Sequence, residues 1–245
     1  MTNRFQNVSD ESNDLFRTYE LWSTSNWEQS LQKHDKIIME LINKIKLFNI
    51  WTHILIKHNT AKNFLPEIFF DAYTSIHYSC MGLYKYANMC SRSELENSLR
   101  LVYFSTHPIE YGWWLKEKST STNPWKDWGY FSKLEKVQLF NSSLTHNQKF
   151  EDSVRNCYKN LSEAVHTNKK DFQTRSGEIK PKYALSQFKP WEGKFRDVQT
   201  QIHTIFILNF TMEFNTLDKS EKREIINYGI DFPQYRKILR KLVQI

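Results

Sequence analysis

Apolar side chains recur every three or four residues along most of this chain, the spacing that keeps them on one face of an α-helix. Between Trp27 and about position 59, Leu31, Ile37, Ile38, Leu41, Ile42, Ile45, Phe48 and Ile54 hold that period. Pro66 suits a first helical turn, and Phe69, Ala72, Tyr73, Ile76, Cys80, Leu83, Tyr84 and Ala87 carry one stripe to about position 90. A helix over 92–105 stops ahead of His107-Pro108, because the residue before a proline avoids the helical region. The run "IEYGWWLKEK" predicts a short helix before a loop at 119–127. Segments 130–147 and 150–167 read as two further helices divided by the polar "THNQ". Residues 168–190 have no period and contain Gly177, Pro181 and Pro190, which predicts a long basic loop. A strong helical pattern returns over 191–215, and two short helices, 219–229 and 232–243, close the chain.

The predicted fold is all-α: a bundle of about six to eight helices, one domain over 26–245 after a polar lead-in at 1–25. Only six Gly and six Pro occur in 245 residues. A sandwich or an α/β fold with Gly-rich ligand loops needs more turn punctuation than that.

Charge adds a direction to this picture. The net charge is +7. Residues 1–30 hold two basic and five acidic side chains, whereas 167–196 hold eight basic and three acidic and 219–245 hold seven and three. The basic excess lies in the C-terminal third, and Lys169, Lys170, Arg175, Lys180 and Lys182 make 168–190 the natural place for a polyanion to dock. The alternative is an ordinary solvated face. Three cysteines, Cys80, Cys90 and Cys157, are an odd number without metal-ligand spacing and read as reduced, inert thiols. No apolar signal run follows the first methionine, and the most apolar stretch, "IHTIFILNF", is too short for a membrane span. The expectation is a cytoplasmic protein with no membrane association, no cofactor and no metal.

Two polar stripes need explaining. Arg92, Glu96 and Arg100 are spaced by four and stack along one helix face. They form either an exposed ion ladder or, because Leu95, Leu99 and Val102 run beside them, part of an inward polar site. Arg155, Tyr158, Ser162 and His166 follow at steps of three, four and four and also share a face. Either His166 is a helix-end residue packed between helices, or its imidazole, which titrates near neutrality, is an acid/base or phosphate-facing group. The two stripes are expected to face each other as one seam, with His166, Arg155, Arg92 and Glu96 as catalytic candidates and Arg100, Tyr158 and Ser162 as binding candidates. His77 reads as a hydrogen-bonded core residue, and Trp113 and Trp114 as core. No HExxH, CxxC, P-loop, GxGxxG or GxSxG pattern is present, so metalloprotease, nucleotide-binding and hydrolase readings lose their usual motifs.

The order "YTSIHYSCMGLYKYANMCSRSELENSLRLVYF", a Trp-rich helix and then "YKNLSEAVH" resembles helical proteins of the HEPN-like and abortive-infection type over about residues 66–168. The resemblance implies a helical bundle, often dimeric, in bacterial stress or phage defence, acting on RNA or binding it. The family's ribonuclease signature is Arg, four to six residues, then His. Here ten residues separate Arg155 from His166, about 16 Å along a helix, so the catalytic pair of a metal-independent ribonuclease does not carry over. The other reading is a non-catalytic helical module that binds a nucleic acid or a protein through its basic C-terminal third.

Overall fold

The computed structural model describes residues 3–116, 129, 131–144, 149–165 and 182–244. Ten α-helices run through them: α1 (Asn3–Leu55), α2 (Asn59–Cys80), α3 (Tyr84–Thr106), α4 (Pro108–Leu115), α5 (Glu135–Ser142), α6 (Phe150–Val165), α7 (Leu185–Asn209), α8 (Thr211–Thr216), α9 (Lys219–Glu224) and α10 (Pro233–Leu242). A π-helical turn, Ile225–Gly229, follows α9 directly. No strand occurs among the described residues, and the fold is all-α as the periodicity predicts. The helix count exceeds the expected six to eight partly because the C-terminal third breaks into short pieces. No helix of the described residues is long and apolar enough to cross a membrane.

Several boundaries differ from the sequence reading for local reasons. The polar stretch over 3–25 belongs to α1, which continues to Leu55 with one non-helical residue, His34 (φ −138°, ψ 23°). The stripe over 66–90 is two helices, and Pro66 sits inside α2 on its exposed face. The chain turns at Gly82, whose φ of +77° only glycine adopts without strain. The turn is a Schellman-type closure: the Leu83 amide donates to the Tyr78 carbonyl at 2.8 Å and the Gly82 amide to Ser79 at 3.0 Å. A Cβ at Gly82 would also stand 2.9 Å from the Lys182 backbone. Of the long loop expected at 168–190, residues 166–181 lie outside the described part, and 185–190 already belong to α7 with Pro190 inside it.

The strap at 182–184 crosses the α2–α3 turn and is tied down. The Tyr183 amide donates to Asn26 Oδ1 (3.0 Å), Asn26 Nδ2 donates to the Met81 carbonyl (3.1 Å), and His34 Nε2 shares a 2.5 Å hydrogen bond with the Tyr183 phenol. The His34 ring stacks on Phe188 with centroids 4.4 Å apart, so the break in α1 coincides with the point where α7 enters the bundle.

α7 is the central helix. Phe188, Trp191, Phe195, Val198, Ile202, Ile205 and Phe206 are buried on it, and so are Gln199, Thr200, Gln201, His203 and Thr204. A helix buried on most of its circumference normally reads as apolar all round. This one carries a buried polar column, and each member needs a partner. Trp51 Nε1 donates to His203 Nδ1 at 3.0 Å, so His203 is a neutral acceptor whose pKa burial pushes down to about 3. Gly229 in the π-turn lies against the same ring, where a Cβ would come within 2.6 Å of it. Glu94 of α3 is fully buried and accepts from Gln199 Nε2 at 2.6 Å; burial raises its carboxyl well above the ordinary range, which favours the neutral form.

A charged network fastens the C-terminal turn to α1 and α7. Arg196 grips Glu40 with two hydrogen bonds (2.7 and 2.9 Å) and donates from Nε to Glu192 at 3.0 Å. Lys44, with a side chain only 3% exposed, lies 2.7 Å from Asp231 Oδ1 and also donates to the Tyr228 carbonyl. The Asp231 amide donates to Thr200 Oγ1 at 2.9 Å. This network sets α10 against α6 and α7.

Candidate functional site

The expected seam exists between α3 and α6, and it is closed. Arg92 donates from Nε to Glu96 Oε1 at 3.0 Å and from Nη2 to the Tyr158 phenol at 2.7 Å. Tyr158 in turn donates to Glu96 Oε1 at 2.8 Å. The three side chains form a triangle, and the guanidinium carbon lies 4.9 Å from the centre of the Tyr158 ring. Arg100 approaches the other Glu96 oxygen at 3.8 Å and donates to Asn97 Oδ1 at 3.1 Å. Burial and the hydrogen bond to Glu96 raise the Tyr158 pKa, so the phenol stays protonated. A protonated phenol between a carboxylate and a guanidinium is a satisfied donor–acceptor unit.

The other candidates on that stripe do not join the triangle. The Ser162 hydroxyl donates to the Tyr158 carbonyl at 2.9 Å, within its own helix, and Arg155 is exposed. His166, Lys169, Lys170, Arg175 and Lys180 lie outside the described residues. Lys182 is exposed at the start of the strap. Two other sequence readings are corrected: His77 is exposed with its ring 5.1 Å from Trp27, and Trp113 is exposed while Trp114 packs on Phe64 at 5.0 Å. The period places residues on a stripe but does not mark where the stripe leaves the core.

α6 has a second polar face that the sequence reading passed over. Turned away from α3, it meets α7 and the start of α10 across a cleft of about 450 Å³, a size common for small-molecule sites. Ser153, Asn156, Cys157 and Asn160 line it from α6, Asp197 and Gln201 from α7, and Phe232, Gln234 and Tyr235 from the C-terminal segment. Lys149 and Asp152 stand at the α6 N-terminus. Gln201 Nε2 donates to Ser153 Oγ at 3.0 Å, and Ser153 hydrogen-bonds the Tyr235 phenol. The Gln201 amide is thereby fixed with its oxygen, Oε1, buried and without a partner among the described residues. Asp197 makes no hydrogen bond among the described residues, and burial, with the Asp231 charge adding, pushes its carboxyl up to about 6. A carboxylate without a hydrogen bond among the described residues, its charged form disfavoured by burial, makes this cleft the candidate binding site. The available signal was the i,i+4 pair Asp197 and Gln201 on a helix otherwise filled by Phe195, Val198 and Ile202.

The thiols are inert here: burial pushes Cys80 and Cys90 up to about 12, and Cys157, also in the cleft, rises for the same reason. Among the described residues no cluster of His, Cys, Asp and Glu has the arrangement to hold a metal ion.

Beside this cleft the outer face of α10 is cationic. Lys237 and Lys241 line an adjoining groove of about 540 Å³ that shares Gln234 with the cleft. Arg240 is exposed nearby and donates to Asn227 Oδ1 at 2.5 Å. No protein-family model, no curated protein and no solved structure matches this chain.

Proposed function

We propose that this protein is a non-catalytic helical module that binds a polyanion, single-stranded RNA in the first instance, through the C-terminal helices. The observation that carries this reading is the row of exposed cations on α10, Lys237, Arg240 and Lys241, with Lys149 facing the same region from α6. Exposed lysines attract phosphates over a Debye length and release counterions on contact. The resemblance of 66–168 to HEPN-like and abortive-infection proteins supports RNA as the polyanion and bacterial stress or phage defence as the setting. Against catalysis by the seam stands its geometry: Arg92, Glu96 and Tyr158 already bind one another.

Fluorescence anisotropy with a labelled single-stranded RNA, across an ionic-strength series, tests the reading. Affinity falls steeply with salt. Lys237→Ser with Lys241→Ser weakens binding and flattens the slope by roughly 0.7 for each phosphate that the variant no longer neutralises. Absence of binding to RNA at the lowest ionic strength overturns it.

A further inference from the structure

We propose that the cleft between α6, α7 and α10 receives one unstacked base of the bound strand and selects guanine. This inference rests on the polyanion reading above.

Two features decide what can enter. First, the cleft is a poor place for phosphate, because Asp152 and Asp197 both line it. The phosphates of a strand are favoured outside, at Lys149 on the rim and at Lys237 and Lys241 in the adjoining groove, which meets the cleft at Gln234. What a strand can place inside is a base. Single-stranded RNA is commonly read in this way, by bases splayed out against aromatic side chains and hydrogen-bonded along their Watson–Crick edges. Phe232 and Tyr235 supply aromatic wall.

Second, the polar groups left without partners are acceptors. Gln201 is 1% exposed; its Nε2 is engaged by Ser153, and its Oε1, without a partner among the described residues, is sealed behind the cleft wall. Asp197, one turn away on α7, has no hydrogen bond among the described residues. The two oxygens of one carboxylate are neighbouring acceptors, and Asp197 stands on the cleft wall with both uncommitted among the described residues. They match an edge that carries two neighbouring donors. Guanine has that edge, N1–H beside the 2-amino group. Adenine and cytosine each offer a donor beside an acceptor, and uracil offers one N–H between two acceptors.

The test compares a labelled oligouridylate with the same strand carrying one central guanosine, or one inosine, which lacks the 2-amino group. With the full chain, guanosine tightens binding by about tenfold or more, and inosine gives back part of that gain. Asp197→Asn is isosteric; it replaces one acceptor by a donor and abolishes the guanosine preference measured against oligouridylate. Thermal melting confirms that the variant is folded. If guanosine- and uridine-only strands bind equally well and salt-dependently, the base pocket is wrong and the polyanion reading stands. A guanosine preference that survives in folded Asp197→Asn also overturns it. If no strand binds at low salt, both proposals fall.

Discussion

The two faces of α6 solve the same problem in opposite ways. Toward α3, Tyr158 meets Arg92 and Glu96 and every strong group of the triangle has a partner within 3.0 Å. Toward α7 and α10, Asp197 and the oxygen of Gln201 are left without one among the described residues. Pairing lowers the cost of desolvation but uses the donors and acceptors that a ligand would need. The seam, which contains the more conspicuous charged residues, is therefore the closed region. The cleft, built from plainer residues, keeps its chemistry available.

The largest loss is expected at the paired charges that hold the C-terminal segment, and so the cleft, in place: Lys44 and Asp231. Asp231→Ala leaves a desolvated ammonium without its carboxylate and with only the Tyr228 carbonyl to accept from it, a change that costs about 3–5 kcal/mol. Denaturant unfolding reads this directly; a loss under about 1 kcal/mol means that the pair behaves as a surface salt bridge.

Within the seam, Glu96→Ala and Tyr158→Phe each lower stability by about 1–3 kcal/mol, since both leave a charged or phenolic partner short of a hydrogen bond. Arg92→Ala combined with Tyr158→Phe is non-additive by roughly 0.5 kcal/mol or more. RNA affinity does not change in the folded variants. Additive losses would show that the triangle is not a unit.

Asp197→Asn sharpens the comparison by changing sign. The folded carboxyl has its pKa raised from 3.8 to about 6, so its ionisation opposes folding. That penalty is absent below pH 3.8 and complete above pH 6. Asp197→Asn thus raises the melting temperature at pH 7.5 by about 2–4 °C, the shift roughly 1 kcal/mol produces in a chain of this size, and gives no gain at pH 3.8. His203 runs the other way. Its pKa falls from 6.5 to about 3 through burial, so the stability it confers is whole above pH 6.5 and is lost as pH falls toward 3. The wild-type acid transition reports the second effect, and the difference between wild type and Asp197→Asn reports the first.

The smallest effect is at Ser162. Its hydroxyl bonds its own helix, and Ser162→Ala shifts stability by no more than about 0.5 kcal/mol. A larger loss would place the residue in the seam after all.

The sequence determined the fold class and the helical faces, because the 3.6-residue period and the burial of one face are local facts repeated along the chain. Leu95, Leu99 and Val102 mark the core side of α3, and Tyr158 was correctly set toward Arg92 and Glu96 by stripe arithmetic alone. Tertiary structure decided what no period records. Whether a polar group is satisfied depends on residues far away in sequence: Tyr158 and Glu96 are 62 positions apart, Gln201 and Ser153 are 48, and Lys44 and Asp231 are 187. Only the packing of α10 onto α6 and α7 encloses Asp197 and withholds a partner from it. A carboxylate acquires a perturbed pKa and a place on a cleft wall from the space around it, which the chain creates only when distant helices meet.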